Sequence, residues 1–210
     1  MPKIKICGLT RPQDAQAAAE LGADAVGLVF YAKSKRCVDA EQAAEITAAL
    51  SPQVAKVALF VNESADSIRR ILEAVPIDIV QFHGDEASEY CRQFGKPYWK
   101  AVRVRSAQDI AEAVGCYADA AALLLDAHIE GQYGGTGQVF DWRLLPATMP
   151  LPWILSGGLN PGNVAAAVRQ TGAAWLDVSS GVEQAPGIKS RDLMANFIRQ
   201  ARGEIGRKKE

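Results

Sequence analysis

Eight short apolar runs alternate with helical stretches across 210 residues, and no linker or low-complexity segment interrupts them. That alternation predicts an α/β fold, a single-domain (β/α)8 TIM barrel near the lower end of its size range. The runs are rich in Val, Ile, Leu and aromatic residues and mostly too short for helices, whereas the segments between them carry helical period. The competing architecture is an open doubly wound sheet. It would usually show GxGxxG after the first strand, and Cys7-Gly8-Leu9-Thr10 does not fit.

In order, the expected strands cover 3–7, 25–30, 56–61, 78–82, 99–104, 121–126, 153–156 and 175–179. Each should lead into its own helix. Asp39 stands three residues before Gln42, the spacing of a capping box. Ser64 is placed as the N-cap of the helix carrying Ile68, Ile71, Leu72 and Val75 at i, i+3, i+4 and i+7. Asn160-Pro161 reads as a cap residue followed by proline at the first helical position. Leu193, Phe197, Ile198 and Ala201 form the apolar face of the last helix. The barrel is expected over 1–205, with 206–210 as a polar tail holding Arg207, Lys208 and Lys209.

Composition narrows the function. The 23 basic and 24 acidic residues leave a net charge of −1, which argues against nucleic acid or an anionic membrane as partner. No apolar run is long enough to span a membrane, and the N-terminus has no signal-peptide core. The four cysteines, Cys7, Cys37, Cys91 and Cys116, show no paired spacing and read as reduced thiols of a cytoplasmic protein. His83 and His128 make no ligand pair with a nearby cysteine, so no metal is expected.

In a barrel, chemistry belongs to the loops after the C-terminal ends of the strands. There the sequence places Cys7-Gly8, then Lys33, Lys35 and Arg36, then Asn62, Gln81 and His83, then Asp126. The last two strands end in Ser156-Gly157-Gly158 and Asp177-Val178-Ser179-Ser180-Gly181. Gly157, Gly158, Ser180 and Gly181 read as a phosphate grip of backbone N–H groups, because barrels often hold phosphate after these two strands. Otherwise the glycines simply make tight turns. Gly134-Gly135-Thr136-Gly137 reads as a flap or a plain long loop.

Cys7 and Asp126 end the first and sixth strands. A buried cysteine is usually a small hydrophobe, and an aspartate after a strand is often a cap. Together on one rim they read as a base and an acid flanking a substrate. Strand alternation puts Lys3, Lys5 and Cys7 on one face and Ile4 and Ile6 on the other. If the isoleucines meet the helices, Lys5 lies inside the barrel below Cys7 and needs a partner. Asp177 is the expected partner, and the lysine charge would help hold Cys7 as thiolate. The alternative, Lys5 pointing outward, demands a bulge in the first strand.

At these residues the chain resembles the phosphoribosylanthranilate isomerases of tryptophan biosynthesis. The matching stretches run in family order through nearly the whole chain. They include Lys5-Ile6-Cys7-Gly8-Leu9-Thr10, Ser34-Lys35-Arg36, Val80-Gln81-Phe82-His83-Gly84, Leu124-Leu125-Asp126 and Asp177 to Glu183 with Pro186-Gly187. The resemblance implies an Amadori rearrangement of N-(5-phosphoribosyl)anthranilate to 1-(2-carboxyphenylamino)-1-deoxyribulose 5-phosphate, without a cofactor. It makes Asp126 the general acid and Cys7 the general base. Arg36 would hold the anthranilate carboxylate, and Gly157, Gly158, Ser180 and Gly181 would surround the phosphate. His83 and Asp177 would line the pocket, His83 being either a contact or a structural histidine. The implied partner is a small phosphorylated substrate, with the chain a monomer or homodimer.

Gln138, Cys37 and Phe82 depart from the family pattern at positions where a lysine, an aromatic and a leucine are common, and none removes a catalytic group. The rivals are other phosphosugar barrels, such as an indole-glycerol-phosphate synthase or a ribulose-phosphate epimerase, and a barrel that binds phosphosugars without turnover. The synthase would want a Lys–Glu pair, the epimerase paired aspartates with metal-binding histidines, and neither set is evident. A binding protein would need no base at the position of Cys7.

Overall fold

The structure is a computed structural model, which describes residues 1–127 and 139–203. The flap glycines at 134–137, Gln138, His128 and the tail at 206–210 lie outside these residues.

Eight parallel strands close into a barrel in sequence order. They are β1 (Lys3–Cys7), β2 (Ala25–Val29), β3 (Ala55–Phe60), β4 (Ile79–Phe82), β5 (Tyr98–Val104), β6 (Ala122–Ala127), β7 (Trp153–Leu155) and β8 (Trp175–Val178). β1 pairs with both β2 and β8, which closes the ring. The helices outside are α1 (Pro12–Glu20), α2 (Ala40–Ala48), α3 (Ala65–Ala74), α4 (Ser88–Arg92), α5 (Ala107–Cys116), α6 (Val164–Thr171) and α7 (Arg191–Ala201).

Alternation along each strand divides the apolar residues between two cores. Ile4, Ile6, Leu28, Phe60, Phe82, Leu123 and Leu176 face outward and pack under the helices. Ala25, Val57, Trp99, Ala122, Leu124 and Ile154 face inward and fill the barrel axis. Trp99 meets Trp175 edge-on at 5.5 Å, and Lys3 Nζ lies 5.2 Å over the Trp175 ring. Phe82 sits among Tyr90, Phe94 and Tyr98, with ring centroids 5.7–6.1 Å away. Its neighbours are thus aromatic to match the larger side chain.

The capping box of Asp39 with Gln42 is present, and Ser64 caps α3. Two expectations change. The eighth helix is missing among the described residues: between β6 and β7 they hold only a 3-10 turn, Trp142–Leu144. Pro146, Pro150 and Pro152 explain this, since each removes a backbone donor and blocks helical growth. Asn160 is also not the N-cap of α6. That helix starts at Val164 after Asn163, and Asn160 Oδ1 instead accepts the Gly162 N–H within the preceding turn.

One element was not foreseen. A short antiparallel hairpin, β9 (Glu183–Ala185) with β10 (Ile188–Lys189), follows β8 and turns over Pro186-Gly187. It is tied to the loop after β1, where the Thr10 hydroxyl donates to the Gly187 carbonyl at 2.6 Å.

Candidate active site

The strand ends enclose a cavity of about 530 Å³, lined by Cys7, Arg36, His83, Asp126, Gly157, Gly158, Asp177 and Ser180 among others. Eight of the nine residues singled out in the sequence therefore meet in one place. The exception is Gly181, which packs instead against the Leu159 carbonyl, where a Cβ would lie 2.0 Å from that oxygen. It shapes the loop without facing the cavity.

Lys5 is fully buried inside the barrel, and its ammonium donates to Asp177 Oδ1 at 2.7 Å. The Ser156 hydroxyl donates to the other carboxylate oxygen at 2.9 Å. Asp177 is thus satisfied by protein groups, at the junction of β1, β7 and β8. Burial works against the charge on Lys5, but Asp177 and Cys7 outweigh it and raise the lysine pKa.

For Cys7 the balance falls the other way. Burial pushes the thiol above its ordinary value, and Lys5 only partly opposes this while Asp177 adds to it. Burial thus favours the thiol over the thiolate expected from the sequence, and Lys5 limits the cost of ionising it. Gly27 makes room for this arrangement, since a Cβ there would lie 2.7 Å from Cys7 Sγ and 3.0 Å from the end of the Lys5 stem. Val29, Leu59, Val61 and Tyr31 form an apolar wall beside the thiol.

Across the rim, Asp126 Oδ1 accepts the Ala127 N–H at 2.8 Å. Its Oδ2 faces His83 Nε2 at 3.3 Å but off line for a hydrogen bond, so Nε2 has no such partner among the described residues. His83 Nδ1 lies 3.1 Å from Gln81 Nε2, as the alternation along β4 predicts. Gly157, with φ +84, lets the loop after β7 pass this carboxylate: a Cβ would stand 2.6 Å from the Ala127 nitrogen and 2.7 Å from Asp126 Oδ1.

The N–H groups of Gly157 and Gly158 have no partner among the described residues. Asn160 and Asn163 brace the loop by donating to the Gly158 carbonyl at 3.2 and 2.9 Å. Both glycines line the cavity, an arrangement suited to an anion.

Arg36 reaches the cavity over Gly8. Its Nε and Nη2 donate to the two oxygens of Glu183, each at 2.7 Å. That bond raises the arginine pKa, and the paired cations hold Glu183 low against the opposing effect of burial. Lys189 Nζ also donates to Glu183, at 2.8 Å, and to the Ser179 carbonyl at 3.1 Å. Burial drives Lys189 below its ordinary value despite Glu183. Sequence reasoning gave Glu183 and Lys189 no role. The only signal was the acid within the Asp177 to Glu183 stretch, and nothing local marked Lys189.

A second missed cluster supports the loop after β4. Glu86 accepts the N–H groups of Asn62 and Gly84, and buried Lys100 donates to Glu86 at 3.3 Å and to the Gly84 carbonyl at 2.6 Å. A charged residue inside the apolar run 99–104 was the available sign.

Comparison with known proteins agrees with this geometry. The family model for N-(5'-phosphoribosyl)anthranilate (PRA) isomerase matches residues 4–200. The N-(5'-phosphoribosyl)anthranilate isomerase of Neisseria meningitidis serogroup B is 57% identical over 199 residues, covering 95% of this chain and 96% of that protein. That of Pseudomonas fluorescens SBW25 is 51% identical over 204 residues, covering 97% of each. The solved phosphoribosyl anthranilate isomerase of Thermotoga maritima superposes with a TM-score of 0.89 at 41% identity, covering 97% of this chain and 100% of that one. The chain belongs to the N-(5'-phosphoribosyl)anthranilate isomerase family.

Proposed function

We propose that this chain isomerises N-(5-phosphoribosyl)anthranilate to 1-(2-carboxyphenylamino)-1-deoxyribulose 5-phosphate, a step of tryptophan biosynthesis, with Asp126 as general acid and Cys7 as general base. The observation that carries the assignment is that these two groups, from β6 and β1, line one cavity beside the glycine loop after β7. A solved isomerase at 38% identity and TM-score 0.83 holds reduced 1-(o-carboxyphenylamino)-1-deoxyribulose 5-phosphate, and its chain is covered fully.

The chemistry follows from proton positions. Asp126 protonates the furanose ring oxygen as its bond to C1 breaks, and the anilino nitrogen lone pair closes a C=N bond. Cys7 then removes the C2 proton, and those electrons neutralise the iminium to give an enolamine. The enolamine tautomerises to the ketone. Acid and base steps of this kind contribute about 10²–10⁴-fold each. Burial keeps the thiolate a minor form at neutral pH, and Lys5 enlarges its share.

Ground-state contacts divide along the substrate. The free N–H groups of Gly157 and Gly158, with Ser180, take the phosphate. Gly181 contributes through the loop it packs. The apolar wall of Val29, Leu59 and Val61 takes the anthranilate ring. Arg36 keeps three N–H groups beyond the two given to Glu183, and these take the ring carboxylate. Asp177, already bonded to Lys5 and Ser156, orders the rim, while His83 faces the acid.

Among the described residues no helix is long and apolar enough to cross a membrane. A cytoplasmic protein acting on a small phosphorylated molecule, as monomer or homodimer, fits this reading. A related solved structure describes monomers generated from a dimeric isomerase.

The test generates the substrate from anthranilate and phosphoribosyl pyrophosphate with a coupling transferase and follows loss of its fluorescence. Wild type should consume it well above background. Cys7→Ser and Asp126→Asn should each lose at least about 100-fold in kcat/KM. Full activity in either variant overturns that residue's role, and no wild-type turnover overturns the function.

A further inference from the structure

Among the groups around the cavity, Glu183 is a buried carboxylate that the reaction does not use. It stands outside the barrel strands, on the hairpin, and holds Arg36 by both prongs of one edge. The hairpin is itself fixed. The Lys189 N–H donates to Asp14 Oδ2 at 3.0 Å, and Arg11 grips Asp14 through two bonds of 2.7 and 3.0 Å. The Arg36 stem reaches this carboxylate across Gly8, where a Cβ would lie 2.5 Å from Arg36 Cδ.

We propose that Glu183 is a positioning residue for substrate binding: by occupying the Nε edge of Arg36, it fixes the guanidinium so that its free end-on edge meets the anthranilate carboxylate. The proposal rests on Arg36 binding that carboxylate, as stated above. A guanidinium has five N–H donors in a rigid plane, and Glu183 takes two on one side. The remaining end-on pair matches a second carboxylate in the same plane. An arginine fixed beforehand loses little rotational freedom when the ligand arrives.

Lys189 makes this tolerable. An arginine beside a carboxylate alone would be a neutral pair with little pull on an anion. With Lys189 sharing Glu183, the cluster keeps a net positive charge. The same lysine bonds the Ser179 carbonyl, next to Ser180, so one hairpin anchors both ends of the substrate site.

Position and charge predict opposite signs. Glu183→Gln removes a negative charge near the carboxylate site. Charge alone then strengthens carboxylate binding, whereas loss of positioning weakens it.

The experiment measures Kd by calorimetry for reduced 1-(o-carboxyphenylamino)-1-deoxyribulose 5-phosphate and for the same compound with a plain phenyl ring. The ratio of the two isolates the carboxylate. Wild type should prefer the carboxylated probe by at least about tenfold, the scale of one charge-assisted contact. Arg36→Met should bring the ratio near one, and Glu183→Gln should lose most of the preference.

Glu183→Asp keeps a charge for Lys189 but withdraws the carboxylate by one methylene, and should also lose the preference. The double variant Glu183→Gln/Lys189→Met leaves no buried lysine without its partner and covers the case where the single variants fail to fold. Its effect on the phosphate loop cancels in the ratio. A preference kept or increased in the folded Glu183 variants, with Arg36→Met abolishing it, overturns the proposal alone. A ratio that Arg36→Met leaves unchanged overturns the role of Arg36, and the proposal with it.

Discussion

Lys5→Met strands a carboxylate inside the barrel, and the cost depends on pH in a calculable way. At 2.7 Å and an effective dielectric of about 20, the Lys5–Asp177 attraction is about 6 kcal/mol before desolvation is charged against it. Removing one partner of such a pair costs about 3–5 kcal/mol. In the variant Asp177 keeps only the Ser156 hydroxyl, and its remaining escape is to bind a proton. Protonating an ordinary aspartate costs about 4 kcal/mol at pH 7 and about 1.5 kcal/mol at pH 5.

The stranded carboxyl therefore has a folded pKa above its unfolded one, and its penalty fades as pH falls toward the unfolded value. Lys5→Met should lose about 3–4 kcal/mol at pH 7 and about 1.5 kcal/mol at pH 5. Urea unfolding followed by tryptophan fluorescence measures both. Lys5→Met/Asp177→Asn should recover part of the pH 7 loss, because no charge is left behind. A loss under about 1 kcal/mol at pH 7, or the same loss at both pH values, would refute the buried-pair account. In the wild type the raised Lys5 pKa works in the other direction: its stabilisation is present below the ordinary lysine value of 10.5 and is lost as pH rises through the folded value.

Two further outcomes follow from the rim. Alkylation of Cys7 by iodoacetamide should have its midpoint above 9.0 in wild type, since burial raises the thiol, and higher still in Lys5→Met; a midpoint at or below 9.0 contradicts the upward shift by burial. Gly157→Ala forces a side chain onto a left-handed residue and against Asp126, so it should cost about 1–3 kcal/mol in unfolding free energy and lower kcat at least about tenfold. Wild-type kcat in that variant would show that the loop does not hold the acid in place.

The barrel was legible because eight apolar runs, mostly too short for helices, alternate with segments of helical period. Lys3, Lys5 and Cys7 on one face, and Ile4 and Ile6 on the other, determined which side chains enter the cavity. The Lys5–Asp177 pair followed from the same rule and from the high cost of a lone buried charge. Residues whose roles depend on magnitudes were harder to read. Whether Cys7 rests as thiol or thiolate is a contest between burial and a neighbouring ammonium, and residue order does not reveal depth. Glu183 and Lys189 escaped because β9 and β10 are three and two residues long, too short for any period to show. Gly181 looked like its neighbour Ser180 on the same loop, yet only Ser180 turns toward the cavity.

The pairing of β1 with β8 also bears on the order in which the enzyme comes into being. Lys5 and Asp177 are 172 positions apart, so a chain growing on the ribosome carries its lysine without this partner until β8 has been made. Such distant contacts repay their loop-closure entropy late and slow the search for the native state. The proposed base is therefore set up late: Cys7 is made with β1, but its electrostatic setting arrives with β8. A nascent or truncated chain lacking β8 would carry the thiol without the neighbouring carboxylate, and the ring could not close around it.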